Sequence, residues 1–107
     1  MTPTAPPVSG HHRLNGRVRA LLLRQRLEAA VDSWWTRRAP DMTSASWNSK
    51  FVAMVAGRGD EYAWVHQLWC ELSSAGHVRG YELSPTSAEI ESWRQRVDQA
   101  IAHLAET

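Results

Sequence analysis

One cysteine and two histidines lie close together in the sequence and are residue types that bind zinc. His66 and Cys70 are four residues apart, and His77 follows seven residues later. Nitrogen and sulfur ligands at this spacing suit zinc, but no local pattern supplies a fourth ligand. A thiol packed as a small hydrophobic group beside a partly exposed imidazole is the simpler explanation. We therefore expect no metal site and no cofactor.

Signatures of catalysis are missing from the sequence. The His66–Cys70 pair has no third group to orient it as a nucleophile and base. No phosphate-binding glycine loop, serine elbow or pair of carboxylates at a typical spacing is present. We therefore expect a protein that is not an enzyme.

Two adjacent tryptophans, Trp34 and Trp35, precede Arg37 and Arg38. Neighbouring residues on a helix point about 100° apart, so one flat core surface does not easily take both indoles. Either one of them is exposed beside the arginines, or a tightly wrapped core buries both. Trp and Arg are enriched at protein-binding hot spots. The predicted partner-binding residues are Trp34, Trp35, Arg37, Arg38, Leu27 and Val31.

Arginines are concentrated near the start of the chain. Residues 13–38 carry seven arginines against two acids, a net charge of +5, whereas residues 39–107 carry five basic residues against nine acids, a net charge of −4. Docking of this basic segment on acids of the same chain is the simplest explanation. The alternative function is nucleic-acid binding, because a row of arginines along a helix can follow phosphates. The residues predicted for it are Arg13, Arg17, Arg19, Arg24, Arg26 and Arg79.

A helix-turn-helix is one form that nucleic-acid binding would take. Helices predicted at about 46–56 and 60–75, joined by a glycine-containing turn, have the right order, and 77–83 would be a wing with Arg79 at its tip. The second helix, however, begins with Asp60 and Glu61. Two carboxylates at the end that should meet DNA argue against insertion into a groove.

The first predicted helix runs from Arg13 to Arg38 and ends before Pro40. Its apolar residues change face: Leu14, Val18, Leu21 and Leu22 form a first stripe, and Leu27, Val31, Trp34 and Trp35 lie roughly opposite. Either the helix bends near residues 24–26, or one long helix packs on different sides in its two halves. The second alternative requires a partner for one of those sides.

Three further helices are predicted, at about 46–56, 60–75 and from Thr86 to about Leu104, where Thr86 and Glu89 can form a capping box. Residues 51–69 also fit a β-hairpin, because Val, Phe, Tyr and Trp favour strands. The segment continues to Leu72 without alternation, which favours helices. Residues 77–83 are predicted to be a loop or a short strand. Residues 1–12, rich in proline, are predicted to be a flexible tail before a single helical domain at 13–107.

These patterns predict an all-α bundle of about four helices. The chain has 107 residues and a net charge of +1, and no apolar run approaches the roughly 18 residues of a membrane span. No secretory signal opens the sequence, so we expect a cytosolic protein without membrane partners. The predicted function is a non-enzymatic binding or regulatory protein that acts by protein–protein contacts or self-association. Abundant Arg and Ala with scarce Lys, Asn and Ile suggest a GC-rich genome, and the small size and lack of catalytic signatures fit an accessory gene, such as one of a bacteriophage or mobile element.

Overall fold

The computed structural model describes the backbone of residues 7–76 and 84–107 and the side chains of residues 16–76 and 84–107. This part of the chain forms four α-helices and no strand: α1 (Pro7–Arg38), α2 (Trp47–Arg58), α3 (Asp60–Gly76) and α4 (Ser87–Glu106), with a 3-10 turn at Pro40–Ser44. The prediction of a small all-α bundle is confirmed. The hairpin alternative for residues 51–69 is wrong, because these residues form α2 and α3. The loop, strand and wing predictions for residues 77–83 lie outside the described residues.

The longest element is α1, with 32 residues. It begins at Pro7, so its first residues overlap the segment 1–12 for which we predict a flexible tail. The mobility of that segment stays a prediction, and residues 1–6 lie outside the described residues. The helix continues without interruption through residues 24–26, where one alternative placed a bend. At about 1.5 Å per residue α1 is about 48 Å long, against about 30 Å for α4.

Local sequence signals set the ends of the other helices. The Ser46 side chain accepts a hydrogen bond from the backbone N–H of Ser49 and caps α2. Gly59, at φ +61°, separates α2 from α3, and this left-handed conformation is one that glycine adopts at little cost. Thr86 and Glu89 form the predicted capping box at the start of α4.

The core lies between α1, α3 and α4. Contacts of α1 with α4 advance together along both helices, from Arg26 with Asp98 to Arg37 with Leu104, so α1 and α4 run parallel. Helix α3 runs antiparallel to α1, and α2 packs against α3 on the outside of this layer. Buried side chains from all four helices fill the interior.

Gly16 fixes how closely α1 approaches the segment before α4. A Cβ at this position would lie 2.9 Å from the carbonyl oxygen of Pro85, which is closer than van der Waals contact allows. Glycine therefore permits the backbone contact that holds the start of α4 beside the N-terminal half of α1.

Candidate protein-binding surface

Trp34 and Trp35, two of the predicted partner-binding residues, are buried inside the protein. Trp34 is 3% exposed and Trp35 is 9% exposed, and their rings meet edge to face with centroids 4.8 Å apart. Leu27 and Val31 are fully buried. Of the two alternatives, the tightly wrapped core that buries both indoles is therefore the one observed, and these four predicted partner-binding residues belong to the core.

Both indoles are buried because the chain surrounds the end of α1. The indole N–H of Trp34 lies 3.2 Å from the hydroxyl oxygens of Tyr62 in α3 and Thr107 after α4. The chain then reverses after Arg38, and the 3-10 turn packs back on α1 with Met42 half-buried against the core. Enclosure from several sides removes the difficulty that two adjacent side chains present to one flat surface.

The two arginines beside the tryptophans make contacts within the chain. The guanidinium carbon of Arg38 lies 4.1 Å from the ring centroid of Trp34, a cation–π distance. Arg37 donates a hydrogen bond of 2.8 Å to the carbonyl oxygen of Leu104 near the end of α4, yet its side chain stays exposed. Of the six predicted partner-binding residues, only Arg37 has an exposed side chain.

Several arginines predicted to bind nucleic acid have carboxylate neighbours. Arg24 lies 3.5 Å from Glu28, which also accepts a hydrogen bond of 2.9 Å from the indole of Trp69 in α3. Arg26 bridges to Asp98 of α4 at 2.8 Å. Docking of the basic helix on acids of the same chain therefore accounts for part of the arginine row.

Arg19 and Arg17, which belong to the same row, have different surroundings. Arg19 is exposed, and no carboxylate of the described part lies within salt-bridge distance of it. Arg17 is half-buried and has an interaction of its own. The side chains of Arg13 and Arg79 lie outside the described residues.

The first apolar stripe of α1 faces solvent. Val18 is 46% exposed and Leu22 is 52% exposed, one helical turn apart, and Leu21 beside them is half-buried. The side chain of Leu14 is outside the described residues. Since Leu27 and Val31 are buried, the two halves of α1 present their apolar residues to different surroundings.

A hollow adjoins the exposed stripe where α1 and α4 meet. We call it the upper hollow; it measures about 190 Å³ and is lined by Arg19, Leu22, Leu23, Arg26, Ile90 and Arg94. Its walls are apolar and its rim carries three arginines.

A second hollow lies further along the same two helices. We call it the lower hollow; it measures about 180 Å³ and is lined by Ala30, Ser33, Arg37, Ile101, Leu104 and Ala105. Small residues leave this space open, and Arg37 stands at its rim. No residue of α2 or α3 lines either hollow.

Ion pairs within α4 partly balance the charge at the rim of the upper hollow. Arg94 donates to Glu91 and, at 2.8 Å, to Asp98. The hydrogen bond from Arg94 lowers the pKa of Glu91, with a smaller contribution from the charge of Arg19. The same bond raises the pKa of Arg94.

The other candidate groups stay apart from this surface. His66 stacks on Phe51 at 5.4 Å, and Cys70 is exposed. In the ranges whose side chains are placed, no three His, Cys, Asp or Glu residues are grouped so as to hold a metal ion. Asp60 and Glu61 are exposed at the start of α3. None of the described helices is long and apolar enough to cross a membrane.

Sequence reasoning missed the part that α4 plays in this surface. Ile90 and Ile101 belong to the apolar stripe of α4, which predicts core, and Ala30 and Ala105 carry no chemical signal of their own. A spacing of eleven residues, however, links the two hollows. On α1, positions 19, 22 and 26 line the upper hollow, and positions 30, 33 and 37, each eleven residues later, line the lower hollow. On α4, positions 90 and 94 line the upper hollow, and positions 101 and 105 line the lower hollow.

Comparison with known proteins adds no family to this description. No protein-family model matches the chain, and no curated protein or solved structure is significantly similar to it.

Proposed function

We propose that this chain is a non-enzymatic protein-binding module and that its docking surface is the exposed side of the α1/α4 seam. The observation that carries this proposal is the exposed pair Val18 and Leu22, which continues into the apolar wall formed by Leu23 and Ile90. Single exposed apolar residues are common, but a continuous apolar surface with a polar rim is typical of a protein-binding site.

The chemistry of the upper hollow supports binding. Its lining consists of leucine, isoleucine and arginine, which hold and orient a ligand but supply neither a nucleophile nor a general base at neutral pH. Arginine, which stands at the rim of this hollow, is also enriched at binding hot spots. We propose the cytosol as the compartment, because the one cysteine, Cys70, is an exposed free thiol and such thiols persist in reducing surroundings.

Nucleic-acid binding, the rival function, has weaker support. Arg24 and Arg26 already have carboxylate neighbours, and a phosphate would compete with Glu28 and Asp98 for them. The start of α3 presents Asp60 to any phosphate backbone. We therefore propose that the arginines of α1 flank a protein contact.

Site-specific crosslinking tests the proposed function. A photoreactive benzoylphenylalanine replaces Leu22 in one form of the full chain and Val52 in another, in the cells that make the protein. Val52 is a matched control, because it lies on α2 and is 51% exposed. We expect position 22 to crosslink a defined protein that position 52 does not.

Purified components then measure the contact. Leu22→Asp should weaken binding of the crosslinked protein at least about tenfold, because it places a charge in an apolar interface, and Val52→Asp should leave it unchanged. Equal crosslinking at both positions, or none at position 22, would contradict the proposal. So would salt-sensitive retardation of duplex or single-stranded nucleic acid that Arg19→Glu abolishes and Leu22→Asp leaves intact.

A further inference from the structure

The two hollows form one line along the α1/α4 seam. Five of the six residues that line the upper hollow have a counterpart eleven positions later that lines the lower hollow. Because α1 and α4 run parallel, the offset has the same sense on both helices. Eleven residues correspond to about 16 Å of helix and to about three turns. The seam therefore offers two apolar recesses about 16 Å apart in a row.

An α-helix matches this spacing. Side chains eleven residues apart on a helix lie on nearly the same face, because eleven residues take about three full turns. A helix laid along the seam thus places one apolar side chain in each hollow without bending. Helix-in-groove recognition uses this kind of repeated anchor.

The charge at the rims indicates what the rest of that helix carries. Arg26 and Arg94 share Asp98, so the charge of these two is partly balanced within the chain. Arg19 at the upper hollow and Arg37 at the lower hollow are exposed, and no carboxylate of the described residues forms an ion pair with either. Guanidinium groups pair with carboxylates in a two-pronged geometry.

A second copy of this chain fits the surface less well. Two copies that met with α1 against α1 would bring the arginine-flanked stripe of one copy close to the same stripe of the other. Residues 16–28 of α1 carry four arginines and one acid. Like charges brought together across an interface cost binding free energy, so this segment of α1 favours a partner of opposite charge.

We propose that the α1/α4 seam binds an acidic amphipathic helix of another protein. Two apolar side chains of that helix, eleven residues apart, enter the hollows, and its flanking carboxylates meet Arg19 and Arg37. This inference rests on the proposed function and adds to it the shape and the charge of the partner.

Synthetic peptides test the shape and the charge separately. Three fluorescent helical peptides of about 18 residues are titrated with the full chain and followed by anisotropy. The first has leucines eleven residues apart flanked by glutamates, the second has the same leucines flanked by lysines, and the third has glutamates with the leucines about nine residues apart, on opposite faces. We expect the first to bind at least about tenfold more tightly than either of the others.

Variants of the chain test whether the peptide binds at the α1/α4 seam. Arg19→Glu/Arg37→Glu should weaken binding of the first peptide at least about tenfold. Arg58→Glu, which changes an exposed arginine of α2, should leave it unchanged. Ala105→Phe should weaken binding by filling the lower hollow, whereas Ala102→Phe, an exposed alanine of α4 that lines neither hollow, should not. Circular dichroism of each variant confirms that it remains helical.

The outcomes separate this inference from the proposed function. Equal binding of the three peptides, or insensitivity to the Arg19/Arg37 and Ala105 changes, would overturn the acidic helix. A stable dimer of the chain that Leu22→Asp dissociates would also overturn it, by assigning the surface to a second copy. In these cases a protein crosslinked at position 22 would still support a binding module. If position 22 crosslinks nothing, the proposed function fails whatever the peptides do.

Discussion

The two halves of α1 both contain leucine and arginine but differ in the burial of their larger apolar residues. The C-terminal half buries Leu27, Val31 and both tryptophans, whereas the N-terminal half exposes Val18 and Leu22. The difference comes from the neighbours of each half. Helices α3 and α4 and the 3-10 turn surround the C-terminal half, and the start of α4 is held beside the N-terminal half through Gly16.

This contrast shows which apolar residues the fold leaves available for a candidate binding surface. Tryptophan carries the largest apolar area, so enclosing the adjacent Trp34 and Trp35 gains more than enclosing smaller residues, and this pair became core. The candidate surface is instead formed by medium-sized residues that the fold left uncovered. In this chain the exposed Leu22 beside a hollow, and not the tryptophan pair, is therefore the candidate for a binding contact.

Trp34→Ala should have the largest effect on stability. The indole packs edge to face against Trp35 and Tyr62 and donates to two hydroxyl oxygens. Its loss should lower the free energy of unfolding by about 3–5 kcal/mol, measured by urea denaturation. Trp64→Ala is the control, because Trp64 is 38% exposed, and it should cost about 1 kcal/mol or less. Similar losses for the two variants would mean that the end of α1 is not enclosed.

A pair of leucine truncations compares the two halves of α1 directly. Leu27→Ala removes a fully buried side chain and should cost about 2–5 kcal/mol. Leu22→Ala, five residues earlier in the same helix, should change the free energy of unfolding of the isolated chain by about 0.5 kcal/mol or less. A large loss for Leu22→Ala would show that the chain covers this stripe, which would remove the basis of the proposed binding surface.

The helices could be predicted from the sequence because their signals are local. Pro40, Ser46 and the Thr86–Glu89 capping box act within a few residues, and each lies at the end of an element in the structure. The change of apolar face within α1 was also visible in the spacing. Periodicity identified two stripes but not which of them the other helices cover.

The candidate surface depends on contacts that no local pattern contains. The spacing within α1 indicated neither that Leu22 is exposed nor that both tryptophans are buried, because neither the return of the 3-10 turn onto α1 nor the parallel pairing of α1 with α4 is encoded in nearby residues. The burial of Lys50, the one lysine, also depends on contacts that form only in the fold. Its Nζ lies 2.8 Å from Asp32 of α1 and 3.9 Å from the ring centroid of Trp47.

Gly16→Ala tests what holds α4 against the N-terminal half of α1. The added methyl group would lie 2.9 Å from the carbonyl oxygen of Pro85, so either α4 shifts or the contact is strained. We expect a loss of about 1–3 kcal/mol in the free energy of unfolding, although alanine favours helix over glycine. Gly57→Ala, on α2 with open space around it, is the control and should be neutral or stabilising. A stabilising Gly16→Ala would mean that the two backbones are not in close contact.

The smallest predicted effect is on the side of the bundle where α3 meets α4. Arg96 and Trp93 of α4 donate hydrogen bonds to Glu71 of α3, and the bond from Arg96 is the main cause that lowers the pKa of Glu71 from its ordinary value of 4.5. A carboxylate whose pKa is lower in the folded state stabilises the protein above its unfolded pKa, and this contribution is lost as pH falls through the folded pKa. Glu71→Gln keeps an acceptor for Trp93 and removes the charge.

We expect Glu71→Gln to cost about 0.2–1 kcal/mol near pH 7, because the pair is partly exposed, and the difference from the unmodified chain to shrink below pH 4.5. A double-mutant cycle with Arg96→Gln isolates the pair: its coupling, from thermal or urea unfolding, should be present at pH 7 and absent once the carboxyl group is protonated. Coupling that stays constant or grows on acidification would contradict the assignment. Since neither residue lines the α1/α4 hollows, both variants should bind the acidic peptide as the unmodified chain does, which separates the contact that holds α4 on α3 from the surface that α4 forms with α1.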